Sequence, residues 1–538
     1  MSGGETARRA WAEPAGPAPP VAAAAPATAE RAALAILLAF ALARVALAFS
    51  LGFGIDESYT IAIARRLDLS YFDHPPLHQW IAHFAALLVG EGPAIRLPFI
   101  ALFAATGWLI FALGRALFGA AAGVRAAFCL NATAFFFASA GGWVVPDGPL
   151  MAALAAAALV FATLFFGRPT PRAAVALWLA GGFCLGLAGL SKYSAALFPV
   201  GLVAFLALSP RRRFWFLRPE PYLAALLCLA MLAPVVVWNM RHEWISFAFQ
   251  GERGAPGAHW RPAQIGAMVA GEIGWLTPWL FVPLVGGLVA AARRARVDER
   301  RLFLLCLALP PIVLFTLTPL WGARGLPHWP MPGWLFAYPL LGVWLGEGRM
   351  RRFASRRWAV AAAGLLAALS IALVGQAATG WIGAAIPLPR GAVDPTLETL
   401  SWAPLRDAPP IRGGPGPAPA FVVATRWTEG GKIALGLGPA IPVIVDSADP
   451  RGMAFLADSA DFIGRDAVIV APVDRAAAVA ATLAPYFADL GAPQRLSFGR
   501  SGRDEVDLAL IPARGLTRPF PLPYPRRISS NSPTQASP

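Results

Sequence analysis

The chain has 538 residues, of which 57% are hydrophobic and 14% charged, and its mean hydropathy is +0.58. This apolar content exceeds the roughly 45–50% of soluble domains, and it falls in blocks of about 17–25 residues, the length that crosses a bilayer core of ~30 Å. The composition therefore excludes a soluble globular protein and indicates a polytopic α-helical membrane protein, and the net charge of +15 lies largely in short arginine-bearing loops, which argues against nucleic acid as a partner.

The N-terminal part of the chain changes character near residue 30. Residues 1–30, rich in Ala and Pro, are predicted to form a disordered cytoplasmic leader. Residues 31–380 are predicted to form a transmembrane domain of about eleven helices, with a long polar first outer loop at 53–93. The predicted spans are 32–52, 94–114, 122–140, 148–167, 174–191, 194–209, 221–238, 266–290, 302–318, 331–347 and 359–378.

The loops between these spans separate into two classes by charge. One class holds clustered arginines, such as those at 211–213 and 293–301, and the positive-inside rule makes these loops cytoplasmic. The alternate class predicts a site at the outer boundary between membrane and water, where a lipid head group would sit. Its loops hold, or lie beside, His74, His78, His83, His242, His259, His328, Asp56, Glu57, Asp73, Asp147, Glu243 and Glu252.

The first outer loop carries the densest ionisable chemistry of the chain, in the segment DESYTIAIARRLDLSYFDHPPLHQ. Asp56 and Glu57 are candidates for a general base or for metal ligands. The alternative is that Asp56 is the N-cap of the helix that follows. Asp73 and His74 precede a stiff Pro-Pro bend, where they are either weak metal ligands or structural hydrogen-bonding groups.

The later outer loops add further candidates, each with a structural alternative. Asp147 lies in a Pro-Asp-Gly turn and is either a site carboxylate or an N-cap. Lys192, followed by Tyr193, either binds a lipid phosphate or extends towards water at a span end. The remaining two loops place polar groups beside aromatic rings, which suits a sugar or an ordinary aromatic belt; their candidates are His242, Glu243, Arg324 and His328.

Residues 385–515 have a different composition, with more Pro and Gly and with short β-like runs. Runs at 421–424, 442–445, 467–471 and 506–511, with a helical stretch at 474–486, predict a small C-terminal α/β domain on the extracytoplasmic side. Residues 516–538 are predicted to form a disordered tail.

The ordered set of motifs resembles bacterial glycosyltransferase family 39. The order is Asp-Glu after the first span, DHPPL, PDGPL, a Lys-Tyr pair, WNMRHEWISFAFQ and HWPMPG. The resemblance covers roughly residues 30–350 and extends to protein O-mannosyltransferases and the lipid A aminoarabinose transferase, all of the GT-C superfamily. That transferase has Glu-Lys before the two prolines, where this chain has Asp73–His74, so the resemblance leaves the sugar open.

The resemblance implies an inverting glycosyltransferase that takes a hexosyl or pentosyl group from a polyprenyl-phosphate (undecaprenyl-phosphate-type) donor. The implied acceptor is a hydroxyl or phosphate of lipid A, another envelope glycan or a protein. It implies Asp56 as the catalytic carboxylate, with Glu57 beside it and Asp147 as the second acid. Lys192 and Arg324 are the candidates for the donor phosphate.

Two other functions stay open on the residues alone. A polytopic transporter or flippase of a lipid-linked substrate would use ionisable groups at mid-membrane depth, where Glu272 is the clear candidate. A membrane scaffold would use its outer domain to bind a partner. No cofactor is required by the motifs, and a divalent metal ion is left open, with Asp56, Asp147 and His74 as its weak candidate ligands.

Overall fold

The computed structural model describes residues 26–254, 261–323, 325–347, 356–385, 394–414 and 418–524. These residues form a helical membrane domain followed by a small sheet domain, as the sequence predicts. In the described ranges, five helices are long and apolar enough to cross a bilayer, and three bent helix pairs raise that number to eight. Each of the eleven predicted spans overlaps helical structure, although a count of eleven crossings is not confirmed.

The helices up to the third bent pair are α1 (Pro26–Ser50), α2 (Ile55–Ala64), α3 (Leu77–Val89), α4 (Leu97–Phe118), α5 (Ala120–Asn131), α6 (Ala134–Phe137), α7 (Ser139–Gly142), α8 (Asp147–Phe166), α9 (Pro171–Ser191), α10 (Leu197–Leu208), α11 (Glu220–Met231), α12 (Ala233–Arg241), α13 (Ile245–Gly254), α14 (Ala263–Leu276) and α15 (Pro278–Arg294). The remaining helices are α16 (Glu299–Thr316), α17 (Met331–Trp334), α18 (Ala337–Trp344), α19 (Arg356–Thr379), α20 (Trp381–Ala385), α21 (Pro409–Arg412), α22 (Trp427–Leu437) and α23 (Ala476–Leu483).

Two of the predicted spans are sharply bent. The segment predicted at 266–290 turns by 105° between α14 and α15. The turn lies at Thr277, which has a positive φ of 65° and is followed by Pro278, whose ring disfavours helical backbone at the preceding residue. The segment predicted at 122–140 turns by 83°, where Thr133 takes an extended backbone conformation.

A buried arginine satisfies the backbone groups near the second bend. Arg44 of α1 donates from Nη2 to Asn131 Oδ1 at 2.8 Å and to the Phe136 carbonyl at 3.1 Å. Its Nε donates to the Phe137 carbonyl at 3.0 Å. Unpaired backbone carbonyls are costly inside a bilayer, so this side chain makes the break between the helices tolerable.

The C-terminal domain contains a six-stranded sheet with β1 (Phe421–Ala424), β2 (Val443–Val445), β3 (Ala467–Pro472), β4 (Phe487–Leu490), β5 (Gln494–Arg500) and β6 (Arg503–Leu516). The strand order is β2-β1-β3-β6-β4, and β5 also pairs with β6. The pairs β1–β2 and β1–β3 are parallel, whereas β6 is antiparallel to β3, β4 and β5. The predicted strand positions are confirmed, and α22, β4 and β5 are additional elements.

The C-terminal domain is docked on the first outer loop through α22 and α2. Lys432 of α22 is buried and donates to the carbonyls of Phe53 and Glu398, at 2.9 and 2.7 Å. The Gly452 amide donates to the Tyr59 hydroxyl at 2.8 Å. Burial lowers the pKa of the Lys432 ammonium to about 8. The domain therefore sits directly over the polar loop.

The chain after β6 also packs on the protein. Phe520 is buried against the rings of Tyr486 and Phe487, and Tyr524 stacks on Phe72 with ring centroids 4.6 Å apart. These contacts lie in the region predicted to be a tail. Residues 525–538 and the leader up to residue 25 lie outside the described residues.

The contact between α22 and α2 is tested by Gly431→Ala. A Cβ at Gly431 would lie 2.8 Å from both the Cα and the amide nitrogen of Tyr59, closer than van der Waals contact allows. Overpacking of this kind costs about 1–3 kcal/mol, so we expect the variant to unfold at a lower temperature in detergent. The matched control is Gly364→Ala in α19, where no atom lies within 4 Å of the new Cβ. Equal melting of the two variants would contradict this packing.

Candidate active site

Asp56 lies in the first turn of α2 with an exposed side chain. The N-cap of this helix is Gly54, which corrects the alternative that Asp56 is the cap. Within the described ranges, no side chain lies within hydrogen-bond or ion-pair distance of its carboxylate. The surrounding protein desolvates the group and raises its pKa, and the charges of Arg451 and Lys192 oppose that rise.

Glu57, the neighbouring acid, is fully engaged with partners. Its Oε1 accepts from Arg96 Nε at 2.7 Å and from the Val144 amide at 3.1 Å, and both side chains of the ion pair are buried. Arg96 also donates to the carbonyls of Leu51 and Gly52, at 2.8 and 2.9 Å. This pair joins the end of α1, the start of α2 and the loop before α8.

Asp147 and Lys192 form a second ion pair. Lys192 Nζ donates to the two carboxylate oxygens of Asp147 at 2.9 and 3.0 Å, and the side chains are 13% and 7% exposed. Asp147 begins α8 and Lys192 caps the C-terminal end of α9. Each charge is therefore at the helix end whose dipole favours it.

Three imidazoles lie close enough to this pair for its charges to affect them. Burial, followed by the charge of Lys192, lowers the pKa of His328 to about 4. Burial also lowers the pKa of His74 and of His78, and their rings are 5.7 Å apart. His74 Nδ1 is buried, and the described residues give it no hydrogen-bond partner. At neutral pH these groups are uncharged and can hydrogen-bond to a neutral ligand.

Asp73 connects the Pro-Pro loop to α2. Its Oδ1 accepts from the Tyr59 hydroxyl at 3.1 Å, and its carbonyl accepts from Gln250 Nε2 at 2.6 Å. The carboxylate is buried, which raises its pKa. Because Tyr59 also binds Gly452, Asp73 belongs to the junction between the loop and the C-terminal domain.

The other predicted residues line the edges of this region. Tyr193 packs on Phe247 with ring centroids 5.5 Å apart. His242 stacks on Trp238 at 3.9 Å and is held by the Trp238 carbonyl. Glu243 is exposed at a turn with a positive φ of 52°.

Arg324 and His259 lie outside the described residues. Among the residues that are described, no three His, Cys, Asp or Glu side chains are placed to hold one metal ion. A metal at Asp56, Asp147 and His74 therefore stays a prediction without geometric support.

Two basic residues near the site were not predicted. The charge of Arg451, in the C-terminal domain, opposes the rise in the pKa of Asp56 and of Asp73. Arg253, in α13, is close enough to the same two carboxylates for their charges to oppose the lowering of its pKa by burial. Arg451 is 395 positions from Asp56 in sequence, as the residue numbers show. Only the docking of the domain brings them together, and no local motif signals it.

Three comparisons with known proteins bear on this site. The family model described as dolichyl-phosphate-mannose-protein mannosyltransferase matches residues 73–238, a range that includes Asp147 and Lys192 but not Asp56. The chain is 26% identical over 340 residues to the lipid A galacturonosyltransferase RgtD of Rhizobium johnstonii. That match covers 59% of this chain and 65% of the relative, so it spans less than two thirds of the relative's length.

The fold is similar to that of ArnT from Cupriavidus metallidurans. With the crystal structure bound to undecaprenyl phosphate the TM-score is 0.61 at 16% identity, over 89% of this chain and 97% of that chain. With the apo structure the TM-score is also 0.61, at 15% identity, over 90% and 98%. The comparisons confirm the resemblance to GT-C glycosyltransferases of the family 39 type.

The arrangement around Glu57 predicts that this residue is needed for stability. Glu57→Gln keeps the side-chain shape but leaves Arg96 as a buried charge without its partner, which costs about 3–5 kcal/mol. We expect a large fall in melting temperature in detergent. The control is Glu91→Gln, because Glu91 pairs with Arg65 at 2.7 Å while the side chains are 20% and 23% exposed. Water reaches this half-buried pair, so its loss should cost less than that of the fully buried pair. Similar small losses in both variants would contradict a structural role for Glu57.

Proposed function

We propose that this multi-pass membrane protein is a glycosyltransferase that moves a sugar from a polyprenyl-phosphate donor to an acceptor at the outer face of the membrane. The proposal depends on one observation: the Asp56 carboxylate is accessible and is not bound by a partner within the described residues. Asp73, Asp147 and Glu57 each bind a partner, whereas the Asp56 carboxylate is accessible and has a raised pKa. Such a group is suited to take a proton from a hydroxyl.

The proposed reaction is a direct displacement. Asp56 takes the proton of the acceptor hydroxyl as that oxygen bonds to the anomeric carbon of the sugar. The bond from the anomeric carbon to the phosphate oxygen breaks, and the lipid phosphate leaves with the electron pair. Attack from the face opposite the leaving group inverts the anomeric configuration.

Lys192 is the proposed partner of the departing phosphate. Its ammonium group is fixed by Asp147 at the end of α9, so it needs no reorganisation when negative charge develops. Arg324 remains a second candidate for this role. The neutral imidazoles of His74 and His328, together with Tyr193, His242 and Glu243, are proposed to contact the sugar or the acceptor.

The substrate class rests on the relatives. The similar fold of ArnT was determined with undecaprenyl phosphate, which supports a polyprenyl-phosphate donor. The name of the Rhizobium relative supports lipid A as the acceptor. The arginine-rich loops at 211–213 and 293–301 support a bacterial inner membrane location with the site on the periplasmic side. The transferred group is proposed to be a hexosyl or pentosyl residue.

The transporter alternative gains no support from Glu272. Its carboxylate accepts from Thr316 Oγ1 at 2.6 Å and from Trp334 Nε1 at 3.0 Å. These bonds join α14, α16 and α17 within the protein interior. The geometry is that of a structural carboxylate.

The role of Asp56 is tested by Asp56→Asn in a transfer assay with labelled undecaprenyl-phosphate sugars. A general base contributes about 10²–10⁴-fold to rate, so we expect kcat to fall by that order while donor binding persists. Because the base acts when deprotonated and its pKa is raised, the pH at which wild-type activity falls on acidification should lie above the ~3.9 of an ordinary aspartate.

Two controls make this test specific. Asp474→Asn removes an exposed carboxylate of the C-terminal domain and should leave transfer unchanged. Right-side-out vesicles should use an acceptor added outside, and inverted vesicles should not. Retained transfer by Asp56→Asn would remove the catalytic assignment, and transfer confined to inverted vesicles would reverse the proposed orientation.

The pair of Asp147 and Lys192 is tested by a double-mutant cycle. Lys192→Met removes the cation near the leaving group, and the loss of one such stabilising group costs about 10²–10³ in kcat. It also leaves Asp147 buried and unpaired, so stability falls. In the double variant with Asp147→Asn we expect stability to recover while kcat stays low. If both stability and kcat recovered in the double variant, the ion pair would have only a structural role.

A further inference from the structure

Arg451 lies where the C-terminal domain meets the first outer loop. It follows Pro450 and has a positive φ of 49°, a conformation that non-glycine residues adopt only when the surrounding structure fixes it. Here the next amide, that of Gly452, donates to the Tyr59 hydroxyl at 2.8 Å. Tyr59 is one helical turn after Asp56 on α2, so the strained residue is anchored beside the proposed base.

Aromatic rings hold the Arg451 guanidinium in place. Its Cζ lies 3.9 Å from the centroid of the Trp427 ring and 5.5 Å from that of Phe249. Trp427 in turn packs edge-on against Tyr59, with centroids 5.2 Å apart. The guanidinium is thus positioned by residues of its own domain, of α13 and of α2. Stacking on a ring face leaves the planar edge of a guanidinium available for hydrogen bonds.

A second arginine lies on the same phenyl ring. Arg253 Cζ is 5.5 Å from the Phe249 centroid and 5.0 Å from the centroid of Trp329. The described ranges give Arg253 no carboxylate within ion-pair distance, and its positive neighbour Arg451 contributes to lowering its pKa, after burial. Two like charges placed around one ring repel each other, and an anion bound between them would reduce that repulsion.

The acid that contacts Arg451 does not neutralise this pair of cations. Asp449 Oδ2 lies 3.3 Å from Arg451 Nε, and its side chain is 49% exposed. Its other oxygen accepts from the Tyr524 hydroxyl at 3.0 Å. Solvent screens such a pair. Asp73 and Asp56 also act on the two arginines through their charges, but among the described residues neither carboxylate lies within ion-pair distance of them. The two guanidinium groups therefore keep donors available for a further anion.

We propose that the C-terminal domain completes the substrate site by supplying Arg451, which with Arg253 binds an oxyanionic group of the substrate beside Asp56. This inference rests on the proposed glycosyl transfer, in which Lys192 serves the donor phosphate. The group is therefore a carboxylate on the donor sugar or a phosphate on the acceptor. A guanidinium binds either with two parallel, charge-assisted hydrogen bonds, so both sources share one chemistry.

The test compares wild type with Arg451→Gln and Arg451→Lys in four substrate combinations. The donors are undecaprenyl-phosphate galacturonate and undecaprenyl-phosphate galactose, which differ only at the sugar C6. The acceptors are bisphosphorylated lipid A and the same lipid after phosphatase treatment. We expect Arg451→Gln to lower kcat/KM roughly ten- to hundredfold, the size of a lost charge-assisted hydrogen bond, only where the oxyanion is present.

The pattern of the loss identifies the source of the oxyanion. A loss confined to the galacturonate donor assigns it to the sugar carboxylate, and a loss confined to the phosphorylated acceptor assigns it to the acceptor phosphate. Arg451→Lys should recover only part of the loss, because an ammonium lacks the planar fork. The control Arg495→Gln removes an exposed arginine of the same domain that pairs with Asp507 and should change none of the four rates.

Other outcomes overturn the inference. An equal loss with all four combinations would mean that Arg451 only docks the domain, and no loss would mean that it is not used. If wild type transfers neither sugar to either acceptor, the proposed function fails instead. Binding of the two donors and of the two lipid A forms to wild type and to Arg451→Gln, measured directly in detergent, then decides the inference. It is overturned if Arg451→Gln keeps the wild-type preferences within both pairs of ligands, or if wild type prefers neither the galacturonate donor nor the phosphorylated lipid A.

Discussion

The buried ion pair of Glu57 and Arg96 is the interaction on which the geometry of the site depends. Arg96 binds the Glu57 carboxylate and the carbonyls at the end of α1, and Glu57 also binds the Val144 amide. A charged pair shielded from water is stable only when its remaining hydrogen-bonding groups are satisfied, so these partners must all be in place together. The pair therefore fixes where α1 stops, where α2 starts and how the loop before α8 approaches them. Asp56 precedes Glu57 by one residue, and its direction is set by the same contacts.

The charged residues of the site lie at helix ends. This position helps to stabilise their charged forms beside the apolar membrane domain. Asp56 and Asp147 lie in the first turns of α2 and α8, and Lys192 caps the end of α9. Helix dipoles favour carboxylates at N-termini and cations at C-termini. The imidazoles around them have lowered pKa values because of burial, and they add no charge at neutral pH. The result is a short polar layer in which the Asp56 carboxylate is accessible while that of Asp147 is buried in its ion pair.

The sequence predicts part of this site because loop charge is a local property. Counting arginines assigns the loops to two faces, and that alone places Asp56, Asp147, Lys192 and His328 on one side. The structural role of Glu57 is not predictable in this way, because its partner Arg96 is in a different segment and both residues look like ordinary polar groups near span ends. The break at Thr277 has a local cause in Pro278, but a proline within an apolar run is also compatible with a continuous, kinked span. The contact that places Arg451 is tertiary and leaves no local pattern.

The C-terminal domain is docked on the first outer loop, and this contact indicates that it helps to position the candidate site. Its strands are predictable from alternation and turn residues, yet a sheet of this kind suits an independent partner-binding module equally well. The structure instead buries Lys432 against the carbonyls of Phe53 and Glu398 and binds Gly452 to Tyr59, so the domain holds both ends of the segment that carries Asp56. A module that only recruited a partner would have no need to insert a strained arginine next to that segment. The same contacts that hold α2 in place also bring Arg451 to it, and the domain is therefore part of the site's architecture.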